Sequence, residues 1–154
     1  MRLPQPPQGF KGALPDFNNG HWQFPAQMGK GSGFVYVIRD NFLKRFYLGK
    51  KSFKTRSGVE TGWRKYTSSS NILNEMFEHR PREEFEFFCL EEYKTKGTVG
   101  YAETWSLCLV EAPTTDMWYN KRIEKVTWKV KEMITDRHKE RLNRILNMEA
   151  PNGN

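Results

Sequence analysis

Two short runs of β-branched and aromatic residues, Phe34-Val35-Tyr36-Val37-Ile38 and Phe46-Tyr47-Leu48-Gly49, flank a polar break at Arg39-Asp40-Asn41. Such side chains suit a pleated, half-buried surface, and Asp-Asn favours a turn, so the stretch predicts a β-hairpin. Tyr36 and Tyr47 then lie on paired strands, close enough to share one polar site. Any fold for this chain has to be built on that ribbon.

The elements around it follow from spacing. Residues 1–32 carry closely spaced Pro and Gly, which predicts an irregular N-terminal arm. Phe10, Phe17, Trp22 and Phe24 are too apolar for a free tail, so part of the arm should pack back on the domain. Gly29-Lys30-Gly31-Ser32-Gly33 lacks the Lys-Ser/Thr of a phosphate-cradling loop. Ser68-Ser69-Ser70 offers an N-cap, and Ile72, Leu73, Met76 and Phe77 recur at helical spacing up to Pro81, predicting a helix over about 70–79. Alternation around Phe85, Phe87 and Cys89 predicts a third strand over 84–91. A second helix should start at Gly97-Thr98, bury Ala102, Trp105, Leu107, Leu109 and Val110, and end before Pro113. The stretch Ile123–Ile134 fits a strand through Val126, Trp128 and Val130 or a helix equally well. Thr135-Asp136 caps a last helix with Leu142, Ile145 and Leu146 inward and Arg137, Lys139, Arg141 and Arg144 outward.

With 154 residues the chain holds one core and extensions, and its net charge of +7 favours a polyanionic partner. Residues 44–66 contain eight basic side chains against Glu60 alone, interleaved with Phe53, Trp63 and Tyr66. A groove that tracks phosphates and stacks on bases uses such a mixture. Cys89 and Cys108 lack metal-ligand spacing and read as core thiols of a reducing compartment. No apolar run approaches the roughly 20 residues of a membrane span, and the expected location is the cytoplasm, with a monomer as the expected state.

If the polyanion's phosphodiester is cut, the chain must supply a positioned water, a proton acceptor and a cation at the phosphorus oxygens, often with a carboxylate-held metal. Glu103 lies in an otherwise apolar helical turn, Val99-Gly100-Tyr101-Ala102-Glu103-Thr104-Trp105, where a lone carboxylate is costly unless it faces a cleft or a cation. One such residue suggests a single hard divalent ion completed by waters and phosphate. Tyr36 or Tyr47, packed among Lys50, Lys51 and Arg64, would have its phenolate favoured and could accept a proton.

Phe34-Val35-Tyr36 and Tyr47-Leu48-Gly49, with ten residues between the tyrosines, resemble the paired tripeptides that name the GIY-YIG nuclease family, Phe34 replacing the first glycine and Leu48 standing at the fifth position. Trp63-Arg64-Lys65-Tyr66-Thr67-Ser68-Ser69-Ser70 is similar to the Trp-x-x-Tyr-x-Ser-Ser segment of phage-encoded members, including homing endonucleases, and Glu103 and Asn120 follow in the family's order. The resemblance spans 33–120. It implies an α+β fold, a small three-stranded antiparallel sheet flanked by helices, with a metal-dependent DNA endonuclease activity encoded by a phage or mobile element. It also implies Tyr36 as general base, Tyr47 as a positioner of water or phosphate, Glu103 as ligand of one Mg2+ or Mn2+, and Asn120 as support. The family's first-helix arginine is missing from 70–79; Arg64 is the candidate replacement and Lys51 the next.

Lys50, Lys54, Arg56, Trp63, Lys65, Tyr66, Ser69 and Ser70 are the expected contacts to double-stranded DNA. The 121–154 extension, with nine basic against four acidic residues between Lys121 and Leu146, either lengthens that footprint or packs on the sheet and solvates its outer face. Thr135–Lys139 distantly resembles the short helical DNA-binding modules of homing nucleases. Two rival readings remain at this stage: a degenerate relative that binds nucleic acid without cutting it, and a basic structural or host-interaction protein.

Overall fold

The computed structural model describes residues 19–25, 27–126 and 129–148. The hairpin forms as the pattern predicts, with strands β1 (Gly33–Asp40) and β2 (Arg45–Ser52). Helix α1 (Asn71–His79), strand β3 (Phe85–Tyr93), helix α2 (Lys96–Leu109) and helix α3 (Asp136–Asn147) follow. The sheet is antiparallel with order β2-β1-β3, giving the α+β architecture that the family resemblance implies and with which the order of elements agrees.

Central β1 is buried along its whole length. Phe34, Tyr36 and Ile38 face Trp22, Trp63 and Leu73 of α1, whereas Val35 and Val37 face Leu48, Leu90 and the α2 residues Val99 and Ala102. A bulge against β3 between Val35 and Tyr36 shifts the register just where Tyr36 turns toward its site. The outer edge of β2 is covered by 117–120: the Phe46 amide donates to the Met117 carbonyl (2.8 Å) and the Tyr119 amide to the Phe46 carbonyl (2.7 Å). Capping hides an edge that would otherwise invite pairing with another chain.

Ser70, Thr95 and Thr135 cap α1, α2 and α3, each accepting from the backbone amide three residues on. The buried face of α2 differs from expectation. Gly97, Thr98, Val99, Ala102, Ser106 and Leu107 point inward, while Leu109 is exposed. Ala102 and Leu107 are buried as the spacing predicts, Trp105 and Val110 are half-buried, and Thr98 and Ser106 take inward positions that the apolar pattern did not mark. Cys108 is likewise exposed, so only Cys89 is a core thiol. Residues 121–126, 129 and 130 are neither strand nor helix; Trp128 lies outside the described residues.

Both ends of the described chain brace the sheet. Trp22 donates to the Trp63 carbonyl (2.7 Å), and Gln23 pairs with β3 through Phe87 and Cys89. Phe10 and Phe17 lie outside the described residues. The amides of Lys30 and Gly31 both donate to Glu92 Oε1 (2.8 and 2.6 Å), so the glycine-rich entry to β1 serves a carboxylate of its own chain. On the opposite face, buried His138 joins α3 to α2 through Ser106 Oγ (2.7 Å) and to β3 through the Tyr93 hydroxyl (3.1 Å). Burial pushes its pKa down to about 4, so it is neutral at physiological pH. Arg137 reaches back to buried Glu91 (2.7 Å), which is therefore an ion-pair partner and not a solvated carboxylate of the strand.

Asp40 closes the hairpin. Burial alone would raise its pKa, but a bidentate pair with Arg80 (2.7 and 2.8 Å) and bonds from Leu43 and Tyr119 hold it below the usual carboxylate value. Arg80→Ala leaves that carboxylate buried without its cation and is expected to cost about 3 kcal/mol, measured by urea unfolding at pH 7.

Candidate active site

Tyr36 pairs directly with Gly49 across β1 and β2. Its ring lies over the glycine: a Cβ at position 49 would stand 2.5 Å from the Tyr36 hydroxyl oxygen and 2.6 Å from the ring carbon bearing it. The missing side chain at 49 thus lets a buried tyrosine lie across β2 with its hydroxyl over position 49. There it meets a cavity of about 560 Å³ lined by Tyr36, Tyr47, Gly49, Lys50, Ser69, Ser70, Glu103 and Asn120, together with Tyr119, Lys121, Arg122 and Glu124.

Three elements set these side chains. The hairpin supplies the tyrosines and Lys50, the capped start of α1 supplies Ser69 and Ser70, and α2 supplies Glu103. Asn120 is held by β2: Oδ1 accepts from the Leu48 amide (2.9 Å) and Nδ2 donates to the Leu48 carbonyl (2.8 Å). Its carboxamide completes the strand edge as a neighbouring backbone would. Ser69 hydrogen-bonds Tyr47, and Tyr66 hydrogen-bonds Tyr36.

The electrostatics reverse one expectation. Burial, reinforced by Tyr47, Tyr66 and Glu103, pushes the Tyr36 pKa well above its ordinary value, and burial raises that of Tyr47 as well. Neither phenolate is favoured, because burial disfavours the charge and two of the three expected cations, Lys51 and Arg64, stand elsewhere. Lys51 sits over the Tyr66 ring at 4.2 Å, and Arg64 pairs with Glu60 (3.2 Å) while stacking on Trp63. Neither of these cations lines the cavity. Trp63 and Phe53 belong to the core, so they cannot stack on a base; Tyr66 is half-buried, and Lys54, Arg56 and Lys65 are exposed on the loop outside.

Glu103 is only 15% exposed, and its nearest cation is Lys50 Nζ at 3.9 Å. Burial raises its pKa to about 6, with Lys50 opposing the rise and Glu124 adding to it. A carboxylate so weakly compensated, facing an open cavity, suits a hard divalent ion whose remaining ligands are water and phosphate. Among the described residues no group of three or more acids, His or Cys gathers as a metal cluster. Glu103 and Glu124 are the two acids in the cavity wall that could serve as donors to such an ion.

The family model described as "Putative endonuclease segE, GIY-YIG domain" matches residues 18–123, more than half of the chain. The chain belongs to the GIY-YIG endonuclease-domain family. It is also 45% identical over 42 residues to "Intron-associated endonuclease 2" of Enterobacteria phage T4, a match covering 27% of this chain and 16% of that relative. No solved structure matches. In this GIY-YIG domain the matched region runs on past Asn120 to residue 123, and Lys121 and Arg122 within it line the cavity. Adjacency to Asn120 was the signal that could have found Lys121, Arg122 and Glu124.

Two measurements test the geometry. Gly49→Ala should force the Tyr36 ring aside and cost about 1–3 kcal/mol in chemical denaturation, with Tyr36 fluorescence and proteolytic protection of the hairpin changing together. For Glu103, the raised folded-state pKa stabilises the metal-free protein fully below about pH 4.5, and that stability is lost as pH rises through about 6. The stability of the wild type relative to Glu103→Gln should therefore fall by about 2 kcal/mol from pH 4 to 7.5 in chelator.

Proposed function

We propose that the protein is a DNA endonuclease that hydrolyses phosphodiester bonds with one divalent cation, Mg2+ or Mn2+, held at Glu103. The observation that carries the reading is the meeting of Tyr36, Tyr47 and Glu103 in one cavity alongside Lys50 and Arg122. Family membership and the phage endonuclease relative support the same activity. When bound, the cation would neutralise charge on the phosphoryl oxygens and favour ionised neighbours.

The chain's own groups then divide the work. The Tyr36 hydroxyl accepts a hydrogen bond from the attacking water and orients it toward phosphorus. It could take the water's proton only as the phenolate, after its own proton has passed to solvent, a state that burial opposes and that positive charge held beside Glu103 would favour. Tyr47, fastened by Ser69, fixes the opposite wall, and Asn120 keeps β2 from shifting under the load. Double-stranded DNA is the substrate, with Lys50, Lys54, Arg56, Lys65, Ser69 and Ser70 along its backbone.

A supercoiled plasmid incubated with Mg2+ or Mn2+ tests this. Glu103→Gln and Tyr36→Phe should each slow strand breakage by about 100-fold or more while gel-shift retention persists. Undiminished cutting by Glu103→Gln would remove the site assignment. A second reading, a binder without catalysis, is favoured by the absence of arginine from α1 and by the engagement of Arg64 with Glu60. It predicts salt-sensitive retention and intact plasmid in every divalent metal.

A further inference from the structure

The cavity holds two carboxylates and three phenols, and Arg64, the cation expected to face the phosphate, stands outside it. Of the basic side chains nearby, Lys125 reaches only the adjoining groove and not the catalytic cavity, and the others have occupations of their own. Arg80 is committed to Asp40 and Glu84, Lys51 to the Tyr66 ring, and Lys121 Nζ donates to the Thr115 carbonyl (2.9 Å). Lys50 Nζ stands opposite Glu103. Arg122 differs: it is exposed, lines the cavity, and makes no ion pair among the described residues.

Its backbone is nonetheless held. Two residues before it, Asn120 is clamped to Leu48. Two residues after it, the Glu124 carbonyl accepts from Thr104 Oγ1 (2.8 Å), the neighbour of Glu103 on α2. Arg122 is thus carried on a short span tied at one end to the tyrosine hairpin and at the other to the helix of the acid. It also lines a second groove of about 490 Å³, with Lys50, Gly97, Gly100 and Lys125, that adjoins the first. A Cβ at Gly100 would meet only Lys50 Nζ, at 3.5 Å, so the floor there is open to a bulky ligand.

We propose that Arg122 is the guanidinium that grips the substrate phosphate at the junction of the two cavities, and that the DNA strand leaves the catalytic cavity through the groove over the first turns of α2. The inference rests on the nuclease reading for its cleavage consequence and on the groove alone for its binding consequence. A planar fork of donors matches a phosphate better than an ammonium does, so lysine should replace it only in part.

Full-length wild type, Arg122→Ala, Arg122→Lys and Arg64→Ala are compared on one DNA duplex, by retention over a salt series and by single-turnover cleavage in Mg2+ or Mn2+. An exposed side chain should be replaceable without loss of fold, which circular dichroism and thermal melting check. Arg122→Ala is expected to reduce the slope of log binding constant against log salt by about one. It should slow cleavage by about 100-fold, with Arg122→Lys recovering part of the loss. Wild-type slope and rate in Arg122→Ala, or loss of both in Arg64→Ala alone, overturn the proposal. Should the wild type bind but never cut, the nuclease reading fails and the salt slope still decides Arg122. Should it not bind DNA at all, both fall.

Discussion

Everything at the candidate site depends on the Tyr36 ring lying across Gly49. In an antiparallel pair, directly opposed side chains normally compete for the same space above the sheet. Here one partner has none, so the ring lies over β2 and its hydroxyl sits above Gly49, in the cavity wall. The outer edge of β2 would be unsatisfied and mobile by itself. It is completed by the 117–120 segment and the Asn120 carboxamide, which turns the outermost strand into a fixed wall. A bulge on the other side of β1 aims the same residue.

The cavity that results is electrostatically unfinished. Glu103 has Lys50 at the limit of ion-pair distance and a second acid, Glu124, across the space, and burial raises its pKa. The tyrosines are held as phenols by the same burial. A cation entering beside Glu103 would improve the environment of all of these groups at once, which is the physical reason the proposed reading puts one there. In the hairpin turn the opposite holds: Asp40 is fully compensated by Arg80, Tyr119 and backbone amides, and its role is structural.

The rest of the chain stiffens this arrangement from both sides. Trp22 and the Gln23 bridge lock the described N-terminal residues to β3 and to the Trp63 turn, on the face where Tyr36 lies. His138, neutral and bonded on both ring nitrogens, fixes α3 beneath α2. Rigid support of this kind matters because positioning a water and a phosphate tolerates little displacement.

Much of the fold was legible in the residues because its signals are local. Alternation marked the strands, Ser70 and Thr135 marked helix starts, and Tyr36, Tyr47, Glu103 and Asn120 could be picked out as a group, whereas the cap of α2, Thr95, lies two residues before the Gly97 start that the sequence suggested. The misread parts were those in which several positions looked alike in one dimension. Leu109 and Cys108 are apolar but fall on the outer side of α2, and Trp63 looked like a stacking surface yet fills the core. What the sequence determined alone was therefore the order of elements and the kinds of groups available. Only the tertiary structure decided which of many cations faces the cavity and whether a tyrosine there is ionised. Those outcomes depend on burial and through-space distance, and contacts such as that between Asn120 and Leu48, 72 residues apart, exist only after the chain has closed on itself.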